Sequence, residues 1–190
     1  MNAITGAVKV IHEVEELEKK LQQQYKHPLL APPTILVAMI EGGSAMNMVP
    51  DSCKISLTRR MTPYENKEQA IQDYQDIIDK LAAEDPNFKA DLEVWKGFRL
   101  PMDLNPEERI IKIMQKAYEK VTGNPLPVDG EEGGADAAFI VDATGIPMPC
   151  FGPGDITLCA ALDEAVELDD LILAVKVYAL SIYYALGKEE

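Results

Sequence analysis

The chain has 190 residues, which is enough for one or two small domains with cores of their own. Its formal net charge is −14, from 32 acidic and 18 basic residues, which argues against nucleic acid and anionic membranes as partners because both attract clustered Lys and Arg. Apolar residues make up 47% of the chain, an ordinary share, and charged residues interrupt the most apolar segment too often for a membrane span.

Cysteine content and the first residues bear on the cellular compartment. Cys53, Cys150 and Cys159 are too few, and odd in number, for a disulfide framework. Residues 1–10 lack the basic region and apolar core of a signal peptide. We therefore expect a cytoplasmic protein whose thiols are reduced and buried.

The first half of the chain predicts two amphipathic helices and three strands. Apolar residues at three- and four-residue spacing indicate helices over residues 2–25, capped by Asn2 or Thr5, and 66–83. A continuous apolar run at 34–40 is typical of a buried strand, and alternation indicates strands over 47–60 and 88–94. The order α-β-β-α-β is that of a ferredoxin-like sandwich without its first strand.

The second half alternates helix and strand after a linker at residues 100–105. Helices are predicted over residues 106–122, 135–142 and 168–186, and short strands over 126–128 and 146–151. Such alternation predicts a layered α/β unit, although few strands are present to form its sheet.

Gly133 and Gly134 precede a predicted helix and suggest an anion-binding site. With Ala135 and Asp136 they can direct backbone N–H groups outward in a nest that binds carboxylate or phosphate. The alternative, which local sequence favours, is an ordinary helix start capped by Asp136.

Arg59 and Arg60 stand at the end of a predicted strand. A guanidinium there can hold a substrate carboxylate in a bidentate pair. It can equally form a surface ion pair with one of the many acidic residues. The sequence leaves the two interpretations balanced.

Three further polar groups have structural explanations. Residues 152–155 are typical of a turn, although they can also line a cleft at a strand end. Asp163 and Glu164 can act as an acid–base pair, but acidic residues are also favoured near the start of the last helix. His12 and Glu16 supply at most half a metal site, so a surface hydrogen-bonded pair is favoured.

A resemblance to a known family is carried by residues 43–63, 133–136 and 145–164. The first segment, GSAMNMVPD followed by Thr58, Arg60 and Pro63, resembles the lid-domain signature G-x-x-x-N-x-[VI]-P-[DN] … D-x-R-x-x-P. The second resembles GG-[TS]-D, and the third resembles GIP … GPG … H-x-x-[DN]-E. The family is that of zinc-dependent amidohydrolases and exopeptidases, which includes acetylornithine deacetylase, succinyl-diaminopimelate desuccinylase, aminoacylase and carboxypeptidase G.

The resemblance implies an α/β (α+β) protein of two domains. Residues 1–98 would form a ferredoxin-like lid or dimerisation domain that lacks its first strand. Residues 99–190 would form the C-terminal part of the α/β zinc-exopeptidase-like catalytic domain. The family's N-terminal catalytic segment has no matching positions in this sequence.

The resemblance also implies a binding site without its metal. Substrate would be held by Asn47, Arg60 and the backbone of Gly133 and Gly134, with a lid group reaching a neighbouring subunit's site in some members. Zinc is implied for a complete family member, but most of its ligands belong to the segment without matching positions. The one ligand expected here, a His, is replaced by Ala160, which cannot bind a metal. We therefore expect no catalytic residue and no metal ligand in this chain alone.

Three functions remain open. The chain can be a portion of a metal-dependent amidohydrolase or peptidase acting on N-acyl amino acids or small peptides, inactive alone. It can be a non-catalytic dimerisation module or one that binds a small carboxylate, or half of a split zinc hydrolase. A second copy or a complementing N-terminal fragment is the expected partner, because the missing strand is central in the ferredoxin-like order and buried backbone groups need partners.

Overall fold

The structure, a computed structural model, describes residues 2–131, 133–159 and 161–187. These residues form helices together with a two-stranded sheet, so the expected α+β class is confirmed. The elements in chain order are α1 (Ala3–Gln24), β1 (Thr34–Gly42), β2 (Cys53–Arg60), α2 (Lys67–Glu84), α3 (Arg109–Thr122), α4 (Ala137–Thr144), a 3-10 turn (Ile156–Leu158) and α5 (Leu168–Leu186). Within the described ranges, no helix combines the length and apolar character needed to cross a membrane.

Internal contacts divide the chain into two units. Unit 1 consists of Met1–Pro101 with Gly130–Glu132, and it contains α1, β1, β2 and α2. Unit 2 consists of Met102–Asp129 with Gly133–Glu190, and it contains α3, α4 and α5.

The core of unit 1 lies between two helices and one face of a hairpin. α1 begins where the Asn2 side chain accepts hydrogen bonds from the N–H groups of Ile4 (3.0 Å) and Thr5 (3.3 Å), as predicted for a cap. Apolar residues of α1 and α2 meet beneath the strands, together with a residue from the segment after α2. The core cluster is Val14, Ile77, Leu81 and Phe88, and Ile35 and Leu57 of the strands pack against it.

The hairpin has one face against the helices and one face open. β1 and β2 are antiparallel, with Thr34 opposite Arg60 and Ile35 opposite Arg59. Residues opposite each other share a face of the sheet. Because Ile35 packs on the helices, Arg59 lies on the helix face and Arg60 on the open face. An irregularity in the pairing between Val37 and Met39 interrupts β1.

Three predicted strands do not form within the described residues: 88–94, 126–128 and 146–151. Phe88 is only 5% exposed, but Leu92 (36%) and Val94 (41%), predicted to lie on the same apolar side, are exposed. A strand, however, also needs a neighbouring backbone for its hydrogen bonds, and alternation alone does not supply one. The predictions of these strands, and of a layered α/β sheet in the second half, are therefore wrong for the described residues.

Several predicted element ends also differ from the structure. β2 starts at Cys53 rather than at residue 47, and Pro50, which has no backbone N–H, lies in the loop before it. α3 starts at Arg109 instead of residue 106, and α4 spans Ala137–Thr144 instead of 135–142. Gly123 (φ 75°) and Gly145 (φ 68°) end these helices in the left-handed conformation, which glycine adopts readily.

The three thiols are free, but they are not all buried. Cys53 is half-buried, whereas Cys150 and Cys159 are exposed. The expectation of buried thiols is wrong for these two because they lie outside helices and strands, where side chains commonly reach solvent.

A buried ion network fixes the end of β2 to α2. The Arg59 guanidinium donates to Glu65 (Nε to Oε1, 3.1 Å) and to Asp73 (Nη1 to Oδ2, 2.9 Å). The three side chains are 7%, 2% and 15% exposed, respectively. Glu65 Oε2 also accepts a hydrogen bond from the Thr62 backbone N–H at 2.7 Å. The same carboxylate therefore fixes the turn that follows β2. Burial tends to lower the pKa of Arg59, but the hydrogen bonds to Asp73 and Glu65 outweigh it and the pKa is raised.

Replacing Arg59 should destabilise unit 1 much more than replacing its neighbour. Arg59→Met leaves Glu65 and Asp73 without their buried cation, so we expect a loss of about 3 kcal/mol in the free energy of unfolding. Arg60→Met, on the exposed face, should cost much less, because interactions of exposed charges contribute little to stability. Urea unfolding followed by circular dichroism measures both, and equal losses would contradict a specific role for the buried network.

Candidate functional site

Asn47 lies at the corner of a turn in the loop between β1 and β2. The Met48 backbone N–H donates to the Ala45 carbonyl at 3.2 Å, which closes a four-residue turn around Asn47. The loop is anchored to the start of α1, because the Ala3 N–H donates to the Pro50 carbonyl at 3.0 Å. The Asn47 side chain is exposed, so the loop presents an amide to solvent.

Arg60 is the last residue of β2 and lies at the opposite end of the hairpin. Its side chain is exposed on the open face of the sheet. Arg59 is instead buried in the ion network, so the ion-pair interpretation holds for Arg59. Strand alternation carries the signal that separates them, because Arg59 continues the inward series of Ile55 and Leu57.

The structure does not bring Asn47 and Arg60 together within one hairpin. β2 has eight residues, and its seven steps span roughly 23 Å at about 3.3 Å each. Asn47 precedes the first of these residues and Arg60 is the last. β2 therefore places Arg60 at the end of the hairpin remote from the loop that contains Asn47.

Gly133 and Gly134 lie in unit 2, in an exposed segment before α4. Asp136 occupies the cap position of α4, but its side chain makes no capping hydrogen bond. The role of Gly133 and Gly134 in substrate binding stays a prediction.

The loop at residues 152–155 forms a turn that leads into the 3-10 helix. Asp155 accepts hydrogen bonds from the Thr157 backbone N–H (2.9 Å) and hydroxyl (2.8 Å). These two bonds, the backbone one first, lower the pKa of the Asp155 carboxyl. Gly154 has φ 95°, which favours glycine. The local geometry agrees with the turn interpretation.

The acidic pair Asp163–Glu164 is exposed and precedes α5 rather than starting it. The acidic residues in the first turn of α5 are Asp169 and Asp170, so the helix-dipole explanation applies to them instead. Ala160, at the position where the resemblance expects a His, lies outside the described residues.

The described residues do not fit a zinc site. No group of three His, Cys, Asp or Glu side chains in the described ranges lies close enough to hold a metal ion. His12 Nδ1 lies 3.8 Å from Glu15 Oε2. Glu16, the partner suggested for His12, accepts a hydrogen bond from Lys19 (Nζ to Oε1, 2.7 Å). His27 Nδ1 accepts a hydrogen bond from the Leu29 N–H at 3.1 Å. We therefore derive no reaction step through a metal on these residues.

Comparison with known proteins identifies the region that contains Asn47 and Arg60. Residues 1–86 match the M20 family described as "Peptidase dimerisation domain". The N-formyl-4-amino-5-aminomethyl-2-methylpyrimidine deformylase of Bacillus subtilis is 24% identical over 189 residues, covering 93% of this chain and 44% of that protein. The acetylornithine deacetylase of Myxococcus xanthus is 25% identical, covering 98% of this chain and 47% of that protein.

A solved structure shows the same fold. The M20 family metallo-carboxypeptidase Sso-CP2 from Sulfolobus solfataricus aligns with a TM-score of 0.66 at 23% identity, covering 91% of this chain and 43% of that chain. This chain therefore spans less than half the length of each of these three proteins.

The loop at residues 152–155 offers a matched pair of glycine substitutions. Gly154→Ala forces a side chain into a left-handed conformation with Val166 Cγ2 at 3.4 Å, so we expect a loss of about 1 kcal/mol in the free energy of unfolding. A Cβ at residue 152 would meet no heavy atom within 4 Å, so Gly152→Ala should have little effect on the free energy of unfolding. Chemical unfolding of both variants measures the difference, and an equal response would argue against a backbone constraint at Gly154.

Proposed function

Since residues 1–86 belong to the M20 peptidase dimerisation-domain family, we propose that this chain is the dimerisation and C-terminal portion of a metal-dependent amide hydrolase. Its substrates would be N-acyl amino acids or small peptides. The chain would act in the cytoplasm, and it would be inactive without the rest of the catalytic domain. Its own contributions would be to join two copies and to hold the substrate carboxylate.

The observation that carries this proposal is the contrast between two adjacent arginines. Arg59 is 7% exposed and held by Glu65 and Asp73, which fixes the strand end. Arg60 follows on the open face, in the position that the lid signature assigns to substrate. A guanidinium at the end of a rigid strand can hold a carboxylate in two parallel hydrogen bonds. The strand end would thus present one cation to substrate while the other secures the backbone.

The separation of Asn47 and Arg60 supports a binding site shared by two copies. Roughly 23 Å of strand lies between Arg60 and the end of the hairpin that carries the Asn47 loop. If both contact substrate, one copy supplies Asn47 and the other supplies Arg60. A dimer would therefore be required for substrate binding as well as for stability.

Unit 1 carries exposed apolar residues suited to such a contact. On α1, Ile4 is 37% and Val8 55% exposed, and on β1, Met39 is 55% and Ile40 51% exposed. The start of α1 and the end of β1 are neighbours, because Ile4 Cδ1 would lie 3.5 Å from a Cβ at Gly43. Ile40, which lies opposite Ile55 on the helix side of the hairpin, and Ile4 and Val8 of α1 thus leave apolar side chains exposed at this end of unit 1, and such surface occurs at protein contacts.

We expect the purified chain to form a dimer through unit 1. Val8→Glu combined with Ile40→Glu should weaken dimerisation at least about tenfold, because each charge would be placed in an apolar contact. The matched control is Gln23→Glu, at an exposed site near the end of α1. Sedimentation velocity measures the dissociation constant, and a chain that remains monomeric at high concentration would contradict the dimer.

The carboxylate site can be tested by calorimetric titration with N-acetyl-L-methionine and its uncharged carboxamide. We expect binding of the acid only, and Arg60→Met should weaken it at least about tenfold, because a charge-assisted hydrogen bond contributes about 1.5–3 kcal/mol. Lys54→Met, an exposed cation on the same face, is the control. Equal binding of acid and carboxamide, or full binding by Arg60→Met, would refute the role of Arg60.

A further inference from the structure

Trp95 is an exposed aromatic side chain positioned by the backbone of its own turn. It is the single tryptophan of the 190-residue sequence, and it is 81% exposed. Its segment turns at Lys96 and Gly97. The benzene part of the indole occupies the space of a side chain at residue 97, because a Cβ there would lie 2.7 Å from Cζ2. The ring thus packs on a residue without a side chain, while most of its surface stays open to solvent.

The turn that carries Trp95 lies at the end of unit 1 where β2 ends. Phe98 follows this turn, and the Lys67 ammonium lies over its ring, with Nζ 5.1 Å from the ring centroid. Lys67 is the first residue of α2. The start of α2 lies beside the end of β2, because the Arg59 guanidinium donates to the second turn of that helix at 2.9 Å. Trp95 and Arg60 are therefore at the same end of unit 1.

An open indole near cations is chemically suited to an aromatic carboxylate. Lys67 and Lys96 place positive charge near Trp95 in a chain of net charge −14, while the acidic Asp91 and Glu93 lie earlier in the segment. Aromatic rings attract one another in offset-stacked or edge-on arrangements. Tryptophan is enriched among the residues that dominate binding, because it offers a large and rigid contact area. An indole already held on backbone loses little further freedom when a ligand binds.

We propose that Trp95 selects substrates with a planar aromatic group, in the amino-acid side chain or in the N-acyl group. The inference rests on the proposed function, in which Arg60 holds the substrate carboxylate, and the indole stacks on the aromatic group of the same molecule. An aliphatic substrate keeps the carboxylate contact but lacks the stacking. Trp95 is thus a specificity-determining residue, and the favoured substrates are aromatic N-acyl amino acids.

Fluorescence of Trp95 reports directly on this site, because the sequence has no second tryptophan. We expect N-acetyl-L-phenylalanine or N-benzoylglycine to change the emission saturably, and the one that does so identifies the side chain or the acyl group as the source of the ring. N-acetyl-L-methionine, which has no ring, should leave the emission unchanged. Calorimetry should show at least about threefold tighter binding of the aromatic acid than of N-acetyl-L-methionine, because aromatic pairs attract beyond the area that they bury.

Variants at the turn separate stacking from a merely structural role. Trp95→Leu should abolish the preference for the aromatic acid, whereas Trp95→Phe keeps a ring and should retain most of that preference. Gly97→Ala keeps the indole but places a Cβ in the space that it occupies, so the preference should fall. Tyr183→Leu, which removes an exposed aromatic side chain from unit 2, is the matched control and should leave the preference unchanged.

Each outcome distinguishes this inference from the proposed function. Equal binding of aromatic and aliphatic acids, unchanged emission of Trp95, or an undiminished preference in Trp95→Leu would overturn the inference. If the chain still discriminates the acid from its carboxamide through Arg60 in that case, the inference alone fails. An equal response of the emission to N-acetyl-L-phenylalanine and to its carboxamide would instead overturn the carboxylate site and leave the stacking on Trp95 in place.

Discussion

The buried pairing of Arg59 with Glu65 and Asp73 determines what the end of the hairpin can do. A charge removed from water is tolerated only when its hydrogen bonds are satisfied, and here two carboxylates and the Thr62 N–H complete the network. The network joins β2, the following turn and α2. Because strand side chains alternate between faces, fixing Arg59 inward leaves Arg60 on the open face. Structural stability and the proposed binding of carboxylate are thus assigned to adjacent residues.

The length of the hairpin would give the proposed dimerisation a functional purpose. Asn47 and Arg60 stand at opposite ends of β2, and a strand is too stiff to bring its ends together. In the proposed enzyme, joining two copies would place the loop of one chain near the strand end of the other. The exposed apolar residues of α1 and β1 would then stabilise the arrangement that completes the substrate site.

Both units contain backbone with strand character but few strands. In unit 1 the two-stranded sheet is stabilised by the helices on one face, since an isolated hairpin is marginal in water. In unit 2 the segment at 146–151 alternates in exposure beside α5 without a ladder. A helix can form from its own hydrogen bonds, whereas a strand depends on a neighbour. The helices therefore form from their own hydrogen bonds, whereas residues 146–151 have the exposure pattern of a strand but no paired neighbour among the described residues.

The sequence by itself determined the helices, the hairpin and the α+β class, because helical periodicity and strand alternation are local properties of the chain. It also identified the family-like segments and limited the cap of α1 to Asn2 or Thr5, of which the structure has Asn2. It did not determine whether residues 88–94, 126–128 and 146–151 form strands, because pairing depends on which backbone lies alongside. Only the tertiary structure decided that Arg59 pairs with Glu65 and Asp73, that Cys150 and Cys159 are exposed, and that Asn47 and Arg60 stand at opposite ends of the hairpin, because pairing and exposure arise from packing between segments.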